Sequence, residues 1–259
     1  MCLFLICFIF FVFFTAGKGE ICDSGENCEC GISKNIEFYE NFNIDDGQTR
    51  ILGGKNSDPQ DWPFIAYFNS FDHSCTATIL SNQWILSAAH CKGEDETVQI
   101  KIDGKAYQTE PIIQHEEFIK IDGKAYQTEP IIQHEEFNNV TYVNDILLVK
   151  LKEPIKFSEN VSSICLLQNL TVSEMEVGAV AGFGQRFVRI KDINATNKDG
   201  LLNEEGGDII FEANELLRET PVLIRDLDYC NITNPETQFC GGGTNHGTTK
   251  GDSGGPFLI

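Results

Sequence analysis

The chain has 259 residues, of which 41% are apolar and 22% charged, a balance that excludes disorder as the dominant state and allows one large core or two moderate ones. Its formal charge of -20 at pH 7 argues against nucleic acid as a partner, because phosphates would repel it; the charge serves solubility first and also allows long-range attraction of basic proteins.

Leu3 to Phe14 is an apolar run of 12 residues followed by the small residues Thr15, Ala16 and Gly17. It is shorter than the ~20 apolar residues a membrane-spanning helix needs. Residues 1–17 therefore read as a signal peptide, and the chain as secreted, extracellular and without a membrane anchor. Cys2 and Cys7 leave with that leader, so eight cysteines remain, an even number that points to disulfides in an exported chain. Cys28-Glu29-Cys30 lacks a CxxC spacing and has no histidine cluster near it, so no metal site and no cofactor is expected. Residues 18–50 are polar and acidic and end in Arg50. The character then changes at Ile51-Leu52-Gly53-Gly54, which marks 18–50 as a propeptide and 51–259 as the mature part.

From Ile51 onward, short β-branched and aromatic runs alternate with polar turns: Trp62 to Phe68, Cys75 to Leu80, Trp84 to Ser87 and Ile146 to Leu151. No long run has helical period, so an all-β barrel or sandwich is expected. Ile100 to Phe118 recurs without change as Ile119 to Phe137. Two copies are too few for a solenoid, which makes this a tandem duplication, and His115 and His134 one residue copied. Nineteen inserted residues must loop out as a unit or disturb strand register, so one copy is expected in a barrel and the other in a surface loop. Asp192 to Asp208 is rich in Asn, Asp, Glu and Gly and reads as a long exposed loop. Asn-x-Ser/Thr sequons at Asn139, Asn160, Asn169, Asn194 and Asn231 are candidate glycosylation sites, in keeping with export.

Three segments carry chemistry. Ser87-Ala88-Ala89-His90-Cys91 offers a base, Asn144-Asp145-Ile146 a carboxylate at the start of an apolar strand, and Gly251-Asp252-Ser253-Gly254-Gly255-Pro256 a serine among glycines. Glycines permit the tight backbone that aims two N–H groups at one spot. A serine nucleophile needs each of these: a base, a group that orients the base, and donors for the oxyanion.

In the order His, Asp, Ser, these motifs resemble the trypsin-like (chymotrypsin-fold) serine proteases, over Ile51 to the last residue. The resemblance implies two antiparallel six-stranded β-barrels, the first about 51–165 and the second about 166–259. In the family further strands follow the nucleophile. Here Ile259 lies six residues past Ser253, so the second barrel is expected to be incomplete. The resemblance also implies a catalytic triad of His90, Asp145 and Ser253, with an oxyanion hole at the Gly251 and Ser253 N–H groups. It implies activation by cleavage after Arg50, by a trypsin-like protease, and pairing of the new Ile51 ammonium with Asp252. The disulfides it implies are Cys75–Cys91, Cys230–Cys240, and Cys165 with Cys30 or Cys28. Protein or peptide substrates and protein protease inhibitors are the implied partners; a catalytically silent homologue that acts by binding is the alternative. Gly247 stands where trypsins carry the Asp of the specificity pocket, which points to apolar or small side chains. Thr249 stands in place of a cysteine, and Gly178 and Ile259 stand where the family has a cysteine pair.

Overall fold

The computed structural model describes residues 13–15, 30, 54–70, 73–92, 100–102, 105–107, 118–121, 124–129, 131–166, 173–189, 201–202, 208–212, 216–230, 232, 234–235, 237–242 and 247–259. Arg50, Ile51, Cys28, Asn169, Asn194 and Asn231 lie outside them. The described residues are almost all strand, turn and loop, with helical turns of three residues only. The all-β expectation holds.

The first of two seven-stranded sheets follows the spatial order Ile132–Gln133, Leu147–Lys150, Trp84–Ser87, His73–Ile79, Ile65–Ser70, Phe118–Ile121 and Lys124–Gln127, antiparallel throughout. The chain just past Lys124–Gln127 also meets the end of Leu147–Lys150: Glu129 N–H donates to the Lys150 carbonyl and Lys152 N–H to the Gln127 carbonyl. These strands form because β-branched and aromatic residues suit a pleated surface with one face buried. Phe64, Phe68, Ile79, Ile85, Ile119, Leu147 and Val149 are fully buried in one cluster. Each such side chain contributes roughly 1.5–3 kcal/mol over leaving it in water.

The second sheet runs Cys165–Leu166, Phe13–Thr15, Phe257–Leu258, Val177–Gly182, Arg218–Arg225 and Cys240–Gly241, with Lys55–Asn56 also paired to Arg218–Arg225. Its own core is Val180, Val222, Ile224, Phe239 and Phe257. Phe13–Thr15, within the stretch read as a signal peptide, is one of its seven strands and lies between Cys165–Leu166 and Phe257–Leu258. It is antiparallel to the former and parallel to the latter. Gly178 has no Cβ because the Phe257 ring and the Leu258 carbonyl occupy that space. The position where the family has a half-cystine is thus filled by packing.

The duplicated segment divides as expected. The second copy supplies Ile119–Ile121, preceded in the same strand by Phe118 of the first copy, with Lys124–Gln127 and Ile132–Gln133 to the first sheet, whereas Ile100–Ile102 and Lys105–Tyr107 of the first copy make a separate two-stranded sheet. Both copies pair in the same register, Ile102 with Lys105 and Ile121 with Lys124, leaving Asp-Gly as the two linking residues. Asp-Gly is favoured in two-residue hairpins because both positions tolerate positive φ. The first copy is therefore a hairpin rather than a plain loop. Within 192–208, Leu201–Leu202 pairs with Asp208–Glu212, which pairs in turn with Arg186–Arg189. The loop expectation missed this sheet because Leu201, Leu202, Ile209 and Ile210 are short apolar runs inside a polar composition.

Candidate active site

Antiparallel pairing of Trp84–Ser87 with Leu147–Lys150 sets Ser87 opposite Leu147. His90 follows the first strand and Asp145 precedes the second, so the pairing brings together residues 55 positions apart at one end of the two strands. A helical turn over Ala89–Cys91, closed by the Cys91 N–H on the Ala88 carbonyl, aims His90 outward, and the Cys75–Cys91 disulfide ties that turn to the neighbouring strand. Asn144 has φ +58°, a conformation asparagine tolerates better than most residues, and turns the chain so that Asp145 points inward.

Asp145 is buried, and its Oδ1 accepts the His90 backbone N–H at 2.8 Å while Oδ2 lies 2.6 Å from His90 Nδ1. A carboxylate only accepts, so Nδ1 carries the ring proton and Nε2 presents its lone pair. Ser253 Oγ lies 2.9 Å from Nε2 and donates its proton there. The sequence-expected His90, Asp145 and Ser253 form one chain of hydrogen bonds.

The glycine loop is held against the first sheet by two threonines. Thr76 Oγ1 donates to the Gly251 carbonyl at 2.9 Å, and Thr78 Oγ1 to the Gly254 carbonyl at 3.0 Å. Both threonines are fully buried on one face of His73–Ile79, two residues apart as a strand requires. Sequence reasoning missed them; the visible signal was Thr at alternate positions in Cys75-Thr76-Ala77-Thr78. Gly251 (φ +106°) and Gly254 (φ +83°) take conformations that disfavour side chains. A Cβ on Gly254 would also strike Ser87 and Thr76. Among the described residues, neither the Gly251 nor the Ser253 N–H finds an acceptor. That leaves two donors beside Ser253 Oγ for an incoming oxygen.

Asp252 is buried, with Oδ1 accepting the Gly184 N–H at 2.7 Å and Oδ2 accepting the Thr249 N–H at 2.7 Å. Thr249 Oγ1 lies 2.8 Å from the Gln185 carbonyl and 3.3 Å from Asp252 Oδ2. Burial pushes the Asp252 carboxyl up to about 6, against the lowering effect of those donors and of the Arg218 charge. No ion pair joins Asp252 among the described residues.

The segment that follows the expected cleavage point is fastened to Arg218–Arg225. Glu219, fully buried, receives Lys55 Nζ at 3.0 Å, Ser57 Oγ at 2.6 Å and the Trp62 indole N–H; Arg218 reaches the Gly54 carbonyl and Asn56 Oδ1. Gly247 is buried. Cys165 pairs with Cys30 and Cys230 with Cys240, which resolves the choice between Cys30 and Cys28. Cys75, His90 and Cys91 cluster, but both sulfurs are spent in a disulfide, so the trio is no metal-ligand set.

The family model described as Trypsin matches residues 51–259. A solved structure titled "Structure of GrC" superposes with a TM-score of 0.57 at 20% identity, over 80% of this chain and 83% of that one, a likeness of fold. The matched span contains His90, Asp145 and Ser253 and nearly every strand of the two large sheets, and on that match the chain belongs to the trypsin family of serine proteases.

Proposed function

We propose that the chain is the exported zymogen of a serine endopeptidase, activated by cleavage after Arg50. The observation that carries this reading is His90 bridging Asp145 at 2.6 Å and Ser253 at 2.9 Å. Ser253 Oγ attacks the scissile carbonyl as His90 Nε2 takes its proton; Asp145 keeps Nδ1 protonated and steadies the imidazolium. The carbonyl oxygen, now negative, receives the free N–H groups of Gly251 and Ser253. His90 then gives its proton to the departing amine, and water repeats the sequence on the acyl-enzyme. An uncharged residue at Gly247 favours apolar or small side chains next to the scissile bond. Protein substrates, an activating trypsin-like protease and protein inhibitors are the partners this chemistry calls for, in the extracellular space.

The test is fluorophosphonate labelling of the trypsin-treated protein, with Ser253→Ala as control. Wild type should label and the variant should not, and Ser253→Ala should lower kcat by a factor on the order of 10^6. Absence of labelling in the treated wild type would favour a silent, partner-binding homologue instead.

A further inference from the structure

Two of the sequons lie within the described residues, and their surroundings differ. Asn160 sits in a turn closed between Ser158 and Val161, after which Ser162 N–H bonds the Pro63 carbonyl. Asn139 belongs to a compact loop beside the triad. Asn138 Oδ1 accepts the N–H groups of Val140 and Thr141 at 2.9 and 3.0 Å, its carbonyl accepts the Tyr142 N–H at 2.7 Å, and its own N–H donates to the Val143 carbonyl. This closure fixes the loop's shape and leaves its tip outside: Asn139 is exposed and Val140 is 81% exposed. Tyr142, three residues on, has its ring edge-on to His90 with 5.6 Å between centroids. Three residues span at most about 11 Å of chain, which keeps Asn139 within that reach of Tyr142 and the ring it sets on His90.

We propose that Asn139 bears an N-linked oligosaccharide that stands at the rim of the cleft around His90 and screens it from folded proteins while leaving it open to small or extended ligands. The modification meets the chemical requirements of the site. Val140 is not proline, Thr141 supplies the hydroxyl, and the Asn139 carboxamide has no bond to the described residues that transfer would have to break. Asn139 Nδ2 forms the C–N bond to the anomeric carbon of a lipid-linked oligosaccharyl diphosphate. The anomeric C–O bond breaks, the lipid diphosphate leaves with its electron pair, and the amide proton is lost to solvent. The screening rests on the peptidase reading, because it is substrates and protein inhibitors that are sorted by size; occupancy of Asn139 does not.

The full chain is secreted from a glycosylating host as wild type, Asn139→Gln, Thr141→Ala and Asn160→Gln, then treated with trypsin. Release of sugar by peptide N-glycosidase in heavy-oxygen water, followed by peptide mass spectrometry, should mark Asn139 in wild type and not in Thr141→Ala. Fluorophosphonate labelling rates should match across all forms. Hydrolysis of a native globular protein should rise several-fold in Asn139→Gln and Thr141→Ala and stay unchanged in Asn160→Gln, while casein, an extended chain, is cut at the same rate by all forms. An unmodified Asn139, or a globular-substrate rate that stays level when the sugar is lost, overturns the proposal. If no form labels, the peptidase reading fails, and what remains to decide is whether the sugar at Asn139 covers the rim at Tyr142. An added aromatic-specific protease should then cut after Tyr142 several-fold faster in Asn139→Gln, while nitration of Tyr142 by tetranitromethane is unaltered. Equal cutting rates overturn the proposal in that case too.

Discussion

Asp252 is a carboxylate held in the interior by three donors from Gly184 and Thr249, with no cation bonded to it among the described residues. Its rise from 3.8 to about 6 means that the folded state binds a proton more tightly than the unfolded one. The contribution to stability is therefore fully present below 3.8 and lost as pH rises through about 6, a cost of about 3 kcal/mol at neutral pH. Pairing with the ammonium that the proposed cleavage after Arg50 would create on Ile51 would reverse that slope. Urea midpoints of the uncleaved chain should fall across this pH range relative to those of the cleaved chain; parallel curves would count against the switch. Thr249 tests the same pocket. Thr249→Val removes the hydroxyl facing Gln185 and Asp252 and should cost about 1–3 kcal/mol in the same titration, with Thr249→Ser restoring most of it. The triad was legible from sequence because each member sits in a short local motif. Thr76 and Thr78 were not, because their partners lie about 175 residues away and only the fold brings them near.

At the level of strands, the two copies of the repeat are identical, so removing either gives the same protein. The first-copy hairpin is outside the first sheet, and His90 meets Asp145 through strands that flank the repeat. Deleting 19 residues shortens the separation of 55 to 36 and should leave the melting curve nearly unchanged, since a doubling of loop length costs only about 0.6 kcal/mol. A collapse of the fold on deletion would mean that the hairpin supports the sheet. Glu219 makes the opposite case. Glu219→Ala strips Lys55, Ser57 and Trp62 of a shared acceptor and should cost about 1.5–3 kcal/mol by urea unfolding, with strand Lys55–Asn56 losing hydrogen-exchange protection first. Strand existence was legible from alternating apolar residues. The small sheet around Leu201–Leu202 was hidden because pairing partners of two residues leave no periodicity to read.

For the whole molecule, composition and motif order were enough to fix the all-β class and the family, while the neighbour of the last strand was beyond them. An apolar run followed by Thr15-Ala16-Gly17 carries the same letters whether it is an export address or a strand. Phe13–Thr15 stands in the second sheet with one edge on Cys165–Leu166 and the other on Phe257–Leu258, a few residues from the nucleophile. Cleavage near Gly17, as the leader reading requires, would take that strand away. On that reading, export and sheet continuity draw on the same three residues. The released protein should then show faster amide exchange at Leu166 and Leu258 than the uncleaved precursor, and a greater tendency to pair edge to edge with a second copy. In that state Phe257–Leu258 would keep Val177–Gly182 as its one strand neighbour, so the step that sends the protein out of the cell would also loosen the strand that follows its nucleophile.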